Sequence, residues 1–414
     1  MKILILSNGH GEDQIAVRII EQLYTFSNPP EIVALPLVGQ GYAYKKLNVP
    51  LLGSVQTMPS GGFIYQDSQQ LWRDVQGGLI PLTYEQYKVI RQWGKTGHKI
   101  LAVGDIVPLL FAWLSGTEYG FVGTAKSDYY LRDETGWLSH TSGLTRWLGS
   151  RYFPHERWLM SHPRCRGVFP RDSLTAQGLK RWSIPIFDLG NPMMDGLEPS
   201  QTENLTIPPG TLTILLLPGS RPPEAYNNWQ LILESLAGVM GRFSDRSVVF
   251  LGAISPGLSL DSLQFFVMSH GWIYEPLNSG QIRVNDDQVL GFTKDNGTLI
   301  LSQNIYRDCL QKADLAIAMA GTATEQFVGL GKPVITIPGK GPQFTPEFAI
   351  AQTHLLGNSV ILVENTLEVG PIIDSIINDP QRLEEIAENG KRRLGNSGAA
   401  QRIAQCLMGQ FWNL

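Results

Sequence analysis

Cysteine is scarce in this chain: three in 414 residues, Cys165, Cys309 and Cys406, far apart and without a Cys-x-x-Cys pair. A disulfide framework and a structural zinc site are both disfavoured, and a reducing cytosol fits. Charge is scarce as well, at 17% of residues against a usual ~25%. With 43% hydrophobic residues the chain has the makings of a globular core and not those of a disordered scaffold. Neither sign dominates: 33 Lys and Arg against 37 Asp and Glu leave −4, so no basic excess points to nucleic acid. Long apolar runs are missing. The N-terminal run ends at Leu6, too short for a signal peptide, which needs ~7–15 apolar residues. The longest later run, residues 106–114, contains Pro108 and falls far short of the roughly 20 needed to span a membrane. The seven histidines are scattered with no His-x-x-x-His pair, so neither a metal nor another cofactor is expected. A cytoplasmic protein follows, at most peripheral on the inner face of a membrane.

Glycine, by contrast, is abundant: 43 residues, about 10% against a usual ~7%. That suits a fold with many strand-to-helix turns. Residues 2–6 form a short apolar run that enters a glycine turn at 8–11 and then a helical pattern at 13–24, the opening of a βα unit. Further strands are expected at 32–37, 99–103, 122–123, 167–169 and 187–190, with 59–78 a loop or lid and 129–150 irregular. Residues 196–210 are polar and punctuated by proline, a linker signature. The βα pattern then restarts: strands at 211–217, 247–251, 313–318, 333–338 and 360–363, helices at 228–242, 322–330, 344–355, 367–378 and 380–394. The expected organisation is therefore α/β: a first domain at 1–195, a linker at 196–210 and a second domain at 211–394. A closing helix within 395–414 would return to the first domain. Strands alternating with helices imply mostly parallel sheets, with ligands at the strands' carboxyl ends in a cleft between the domains.

Four turns carry candidate chemistry. In Leu215-Leu216-Leu217-Pro218-Gly219-Ser220-Arg221 an apolar strand runs into a turn whose backbone N–H groups, hydroxyl and guanidinium suit a diphosphate. The alternative is an ordinary turn with a surface arginine. It is not a Walker A loop, which ends in Gly-Lys-Ser/Thr. In Ala316 to Gln326 a buried strand ends in small residues, then Gly321, Thr322, Ala323, Thr324, Glu325 and Gln326 open a helix. Small residues let a phosphate reach the amides, and a carboxylate nearby suits a ribose. Threonine capping and a dipole-favoured glutamate explain part of it, but not the absence of bulk. In Ser7-Asn8-Gly9-His10-Gly11-Glu12-Asp13 the imidazole of His10 is a candidate general base. Glu12 or Asp13 would orient it or cap the helix. No Gly-x-Gly-x-x-Gly fingerprint is present. Asp105, directly beyond a strand in Val103-Gly104-Asp105, is either a cleft carboxylate or a helix N-cap. Residues 144–166 interleave Arg146, Arg151, Arg157, Arg164 and Arg166 with Trp147, Tyr152, Phe153 and Trp158. Such a segment can rest on an anionic bilayer. The blander reading is aromatics packed inward with arginines reaching out.

Taken in order, these pieces resemble the lipid-A-disaccharide synthase-related family, glycosyltransferases of the GT-B fold. Leu216-Leu217-Pro218-Gly219-Ser220-Arg221 is similar to that family's Leu-Leu-Pro-Gly-Ser-Arg, and Gly321-Thr322-Ala323-Thr324 to its Gly-Thr-Ala-Thr. Phe169-Pro170-Arg171-Asp172 is similar to its Phe-Pro-Phe-Glu, and Gly190-Asn191-Pro192-Met193-Met194-Asp195 to its Gly-His-Pro-Leu-x-Asp. Gly104-Asp105 falls where the family carries a catalytic aspartate. The opening differs: the family has Gly-Glu-x-Ser-Gly-Asp, and here only Asp13 lines up. Glu325 stands one place early and Gln326 takes the family's glutamate position.

The resemblance implies two Rossmann-like domains of GT-B type and an inverting, metal-independent hexosyl transfer from a UDP-sugar to a glycolipid or lipid-linked acceptor. Gly219, Ser220, Arg221 and the stretch Gly321, Thr322, Ala323, Thr324 would hold the diphosphate, and Glu325 or Gln326 the ribose. Asp105, with His10 as its rival, would take the proton. Gly9, Gly11, Glu12 and Asp13 would lie on the acceptor side. Membrane-surface contact and a homodimer stay open. Two rivals remain: a UDP-sugar 2-epimerase, for which the turns offer few carboxylates, and a nucleotide- or lipid-binding protein without turnover.

Overall fold

A computed structural model describes residues 2–55, 79–199, 203–277 and 282–412. The loop or lid expected at 59–78 lies outside the described residues. The chain divides into two compact units, Met1–Gly196 with Asn396–Leu414, and Leu197–Gly395.

The first unit is built on β1 (Lys2–Ser7), β2 (Glu31–Pro36), β3 (Lys99–Gly104) and β4 (Tyr119–Gly123). A hairpin of β5 (Arg132–Asp133) and β6 (Gly136–Trp137) follows, then β7 (Cys165–Phe169). The main sheet runs β2-β1-β3-β4-β7, every pair parallel. Its strands read as near-continuous apolar runs because both faces are covered, as parallel sheets require. Ile3 and Ile5 point into one core with the helix His10–Leu23, and Leu4 and Leu6 into the other with the helix Ile106–Ser115. The chain goes from β1 outward to β2, then back across to β3. The order therefore reverses between β1 and β3.

The second unit holds β8 (Leu205–Thr206), β9 (Leu212–Leu217), β10 (Val248–Ala253), β11 (Ile273–Tyr274), β12 (Arg283–Val284), β13 (Leu290–Lys294), β14 (Gly297–Ser302), β15 (Leu315–Ala318), β16 (Val334–Thr336) and β17 (Val360–Leu362). Its sheet runs β11-β13-β14-β10-β9-β15-β16-β17, with an antiparallel addition at the β11–β13–β14 edge. Here the order reverses between β9 and β15. Trp229, on the helix Glu224–Arg242, is fully buried against the β9–β10 face.

Several expectations need correction. The first helix begins at His10, three residues early, so His10, Gly11, Glu12 and Asp13 form its first turn. Residues 187–190 form no strand; only Ile186 bridges Val168, and the chain then turns away. Residues 129–150 are ordered into a 3-10 turn, the β5–β6 hairpin and the helix Gly143–Leu148. Part of the 196–210 stretch belongs to the second unit: Leu205 is fully buried and β8 pairs with β12. Apolar Leu205 overrides the polar, proline-rich surroundings that read as linker.

The closing helix, Ala399–Trp412, packs on His10–Leu23 through Ile403, Ala404, Leu407 and Phe411. Asp195 anchors its start. The carboxylate accepts from the backbone N–H of Gly398, from Ala399 (3.1 Å) and from Ala400 (2.6 Å), satisfying donors the helix cannot pair internally. Replacing Asp195 by Ala removes all three acceptors. It is expected to cost about 1–2 kcal/mol, seen as a lower urea midpoint with hydrogen exchange accelerated first in Ala399–Trp412.

Candidate functional site

Register brings two clusters of polar side chains to strand ends, one in each unit. In the first unit Ser7 pairs with Val103, and Gly104 with Gly123, so the turns after β1, β3 and β4 leave the sheet side by side. Gly104 has φ +134°, and a Cβ there would crowd Glu12 Cγ at 3.2 Å. Only glycine lets the first turn of the helix settle this close over the end of β3. Asn8 donates from Nδ2 to Asp105 Oδ2 at 3.0 Å, tying β1 to β3 across the reversal point. Asp105 Oδ1 accepts from the Val107 N–H at 2.7 Å, so Asp105 is also the N-cap of Ile106–Ser115. Both carboxylate oxygens are thereby engaged, and the residue is 8% exposed.

Asp13 turns inward. Tyr44 donates to Ser7 Oγ at 2.6 Å and Ser7 donates to Asp13 Oδ1 at 2.5 Å, a chain closed within the core. Glu12 stays half-buried. The Thr124 hydroxyl approaches its Oε1 at 3.5 Å, the long limit of a hydrogen bond. The Thr124 carbonyl is held in turn by Arg171 Nη1 at 3.1 Å. Burial pushes the Glu12 carboxyl up to about 7, and the charges of Asp105 and Asp13 push the same way. Burial raises Asp13 to about 7 as well, against the lowering effect of the Ser7 bond. Asn8 is 6% exposed, and its Oδ1 is buried with no hydrogen-bond partner. His10 opens the helix; its side chain lies outside the described residues.

In the second unit the turn after β9 meets the turn after β15. Gly219 has φ +96°, and a Cβ there would lie 3.2 Å from the Met319 carbonyl oxygen. Asn228 laces the two turns together: its Nδ2 donates to the Pro218 carbonyl at 3.1 Å and the Met319 carbonyl at 3.4 Å. Ser220 is exposed and Arg221 half-buried, its Nη1 donating to Gln343 Oε1. Glu224 fixes that loop by accepting from the backbone N–H of Gln343 (3.1 Å) and of Phe344.

The helix Thr322–Gly329 starts with Gly321 at its N-cap and no side-chain cap. Threonine capping therefore does not explain the motif. Thr324 donates its hydroxyl back to the Ala320 carbonyl at 2.6 Å, and Gln352 Nε2 donates to the same oxygen at 2.9 Å. Ala320, Gly321 and Ala323 carry almost no bulk beside the first turn of this helix. Thr322 is exposed and Glu325 half-buried in this turn. Gln326 is buried, and its Oε1 accepts from the Tyr306 hydroxyl at 2.6 Å. An uncapped helix start, a glycine turn and a guanidinium match a doubly charged anion such as a diphosphate.

The remaining motifs pin the fold. Asp172 caps the helix Ser173–Leu179 through the Thr175 N–H at 2.7 Å, and Asn191 caps the turn Pro192–Met194. Among residues 144–166, Arg146 and Arg157 reach backbone carbonyls, at Thr141 and Leu148. Of the aromatics only Tyr152 is buried; Trp147 is 80% and Trp158 55% exposed, so packing of the aromatics inward is not what this segment does. Among the described residues no group of three or more His, Cys, Asp or Glu could hold a metal, and no helix is long and apolar enough to cross a membrane. Sequence reasoning assigned no role to Asn8, Tyr44, Thr124, Glu224, Asn228, Gln343 or Gln352. Each acts on a partner distant in the chain, and no local spacing marks them.

Raised carboxyls make stability depend on pH. The unfolded chain ionises Glu12 near 4.5 and Asp13 near 3.8, whereas the folded chain holds both protons to about 7. Unfolding therefore releases protons between these values, and stability falls as pH rises through that window and levels off above it. Glu12→Gln is expected to flatten the fall. It should gain up to about 3 kcal/mol over the parent at pH 8 and almost nothing at pH 4, read from urea midpoints across the range.

No family model matches the sequence, and no curated protein matches it. Solved structures do match along the whole chain. A putative UDP-N-acetylglucosamine 2-epimerase from Listeria monocytogenes superposes with TM-score 0.58 at 13% identity, covering 100% of this chain and 97% of that one. The UDP-GlcNAc 2-epimerase from Neisseria meningitidis bound to UDP-GlcNAc gives 0.54 at 15%, covering 99% and 100%. MurG from Acinetobacter baumannii gives 0.53 at 12%, covering 98% of each. The fold is thus GT-B, two Rossmann-like units with mostly parallel sheets, shared with proteins named as UDP-N-acetylglucosamine 2-epimerases and with MurG.

Proposed function

We propose that this chain is an enzyme acting on a UDP-sugar and that it breaks the bond between the anomeric carbon and the diphosphate. The observation that carries the reading is the anion cradle of the second unit: Gly219, Ser220 and Arg221 beside the uncapped start of Thr322–Gly329. There the amides and guanidinium would hold the diphosphate and stabilise it as it departs. Glu325, half-buried in the first turn, and Gln326, whose Oε1 accepts from the Tyr306 hydroxyl, are the two candidate ribose ligands.

For the reaction itself, inversion at C2 of a UDP-N-acetylglucosamine-type sugar is the first reading. It requires acid–base groups, and the first unit gathers Glu12, Asp13 and Asp105 at one strand edge, more carboxylates than separate turns suggested. The neighbours named 2-epimerases support it. Transfer to a glycolipid or lipid-linked hydroxyl is the second reading, favoured by the Leu216 to Arg221 and Gly321 to Thr324 motifs. Both share the same bond cleavage.

Titration calorimetry with UDP and UDP-N-acetylglucosamine tests the cradle. Arg221→Ala, which removes a charged donor, is expected to weaken UDP binding about 10- to 100-fold. Absence of UDP binding by the parent protein overturns the reading. Incubating UDP-N-acetylglucosamine in D2O then separates the reactions. Epimerisation replaces the C2 proton with deuterium and yields the second epimer by NMR. Transfer leaves that proton in place and releases UDP only when an acceptor hydroxyl is supplied.

A further inference from the structure

The first unit holds three carboxylates at one strand edge, and they are not equivalent. Asp105 has one oxygen on the Val107 N–H and the other on Asn8 Nδ2. Asp13 is 3% exposed and takes the Ser7 hydroxyl, which in turn takes Tyr44. Glu12 alone of the three keeps a half-buried side chain; its carboxylate accepts from its own backbone N–H and, at the long limit, from the Thr124 hydroxyl, and among the described residues no other element's side chain is hydrogen-bonded to it at short range. Asn8 lies on the same glycine: a Cβ on Gly104 would meet Glu12 Cγ at 3.2 Å and Asn8 Cβ at 3.8 Å. The buried Oδ1 of Asn8 has no partner. An unpaired buried acceptor costs free energy unless a donor reaches it, so this spot is built to receive a polar group.

We infer that Glu12 is the group that takes the proton from the substrate, and that Asp105 and Asn8 are positioning residues that hold the turn over Gly104. The inference rests on the UDP-sugar reading above. The Glu12 carboxylate accepts one proton and becomes the neutral acid. The electron pair left behind either closes a C1–C2 double bond or, from an acceptor oxygen, forms a new bond to C1. In both cases the pair of the broken C1–O bond leaves with UDP. A base suited to neutral pH has a pKa near it. Burial and the adjoining charges of Asp105 and Asp13 place Glu12 there. The groups facing it are those two carboxylates, the Thr124 hydroxyl and the Tyr44 phenol, which burial and the charge of Asp13 keep protonated.

The test compares Glu12→Gln, Asp105→Asn and the parent protein. Glu12→Gln is expected to bind UDP within about twofold of the parent and to lose at least about 100-fold in turnover of UDP-N-acetylglucosamine. Asp105→Asn keeps the helix cap but drops the charge, and should move the acidic limb of the pH–rate profile downward with UDP binding intact. Turnover by Glu12→Gln within about threefold of the parent overturns the inference. If the parent binds no UDP, the UDP-sugar reading fails by itself. The Glu12 carboxyl resonance, assigned by its loss in Glu12→Gln, then decides on its own. Titration near 7 that moves down in Asp105→Asn supports the proton-accepting role, and titration in the ordinary glutamate range overturns it.

Discussion

A parallel sheet covered on both faces leaves its polar side chains one place to go: the carboxyl ends of its strands. Where the strand order reverses, adjacent turns diverge to opposite faces and open a crevice between them. Both units obey this constraint. In the first, the reversal lies between β1 and β3, where Asn8 reaches Asp105. In the second it lies between β9 and β15, where Asn228 reaches Pro218 and Met319. In each unit one buried asparagine bridges the two turns by its amide nitrogen and leaves its carbonyl oxygen without a partner. The same topological problem has been solved twice with the same side chain.

The two crevices differ in charge, and that difference divides the chemistry. The second unit assembles donors: backbone amides at Thr322–Gly329, the Arg221 guanidinium and the Ser220 hydroxyl. Its one nearby buried carboxylate, Glu224, is spent on the Gln343 and Phe344 amides and so supports the loop that steadies Arg221. The first unit assembles acceptors. Three carboxylates within one turn region cannot all be charged cheaply in a buried setting, so protons stay on Glu12 and Asp13 up to about pH 7. Ionising these carboxyls as pH rises through that range therefore costs the folded state stability.

Motifs that look alike in sequence separate into these roles only in three dimensions. Asp105, Asp172 and Asp195 all follow a strand or turn and all cap a helix. Asp172 and Asp195 serve packing, the latter holding the closing helix on the first unit. Asp105 does both jobs, because its second oxygen faces Asn8. Arg171, within the Phe-Pro-Arg-Asp stretch, props the Thr124 carbonyl and so reaches the carboxylate edge at one remove.

Sequence by itself determined the α/β class, the βα openings at β1 and β9, and the glycine turns at Gly219–Arg221 and Gly321–Thr324. Those features rest on local chemistry: apolar runs of strand length, glycine where a turn needs it, small residues where a helix starts. It also placed Asp105 at a strand end without choosing between cap and cleft. Tertiary structure decided the rest. It made Asp105 a cap and a bridge, drew Asp13 inward onto Ser7 and Tyr44, and left Glu12 as the accessible carboxyl. It turned Gln326 toward Tyr306 and left Glu325 in the first turn. Those outcomes depend on strand register, on which way a helix enters, and on partners as far as 112 positions away in the chain. No spacing within a turn encodes them, because burial and hydrogen-bond partnership, which set a carboxyl's proton affinity, exist only once the strands have paired.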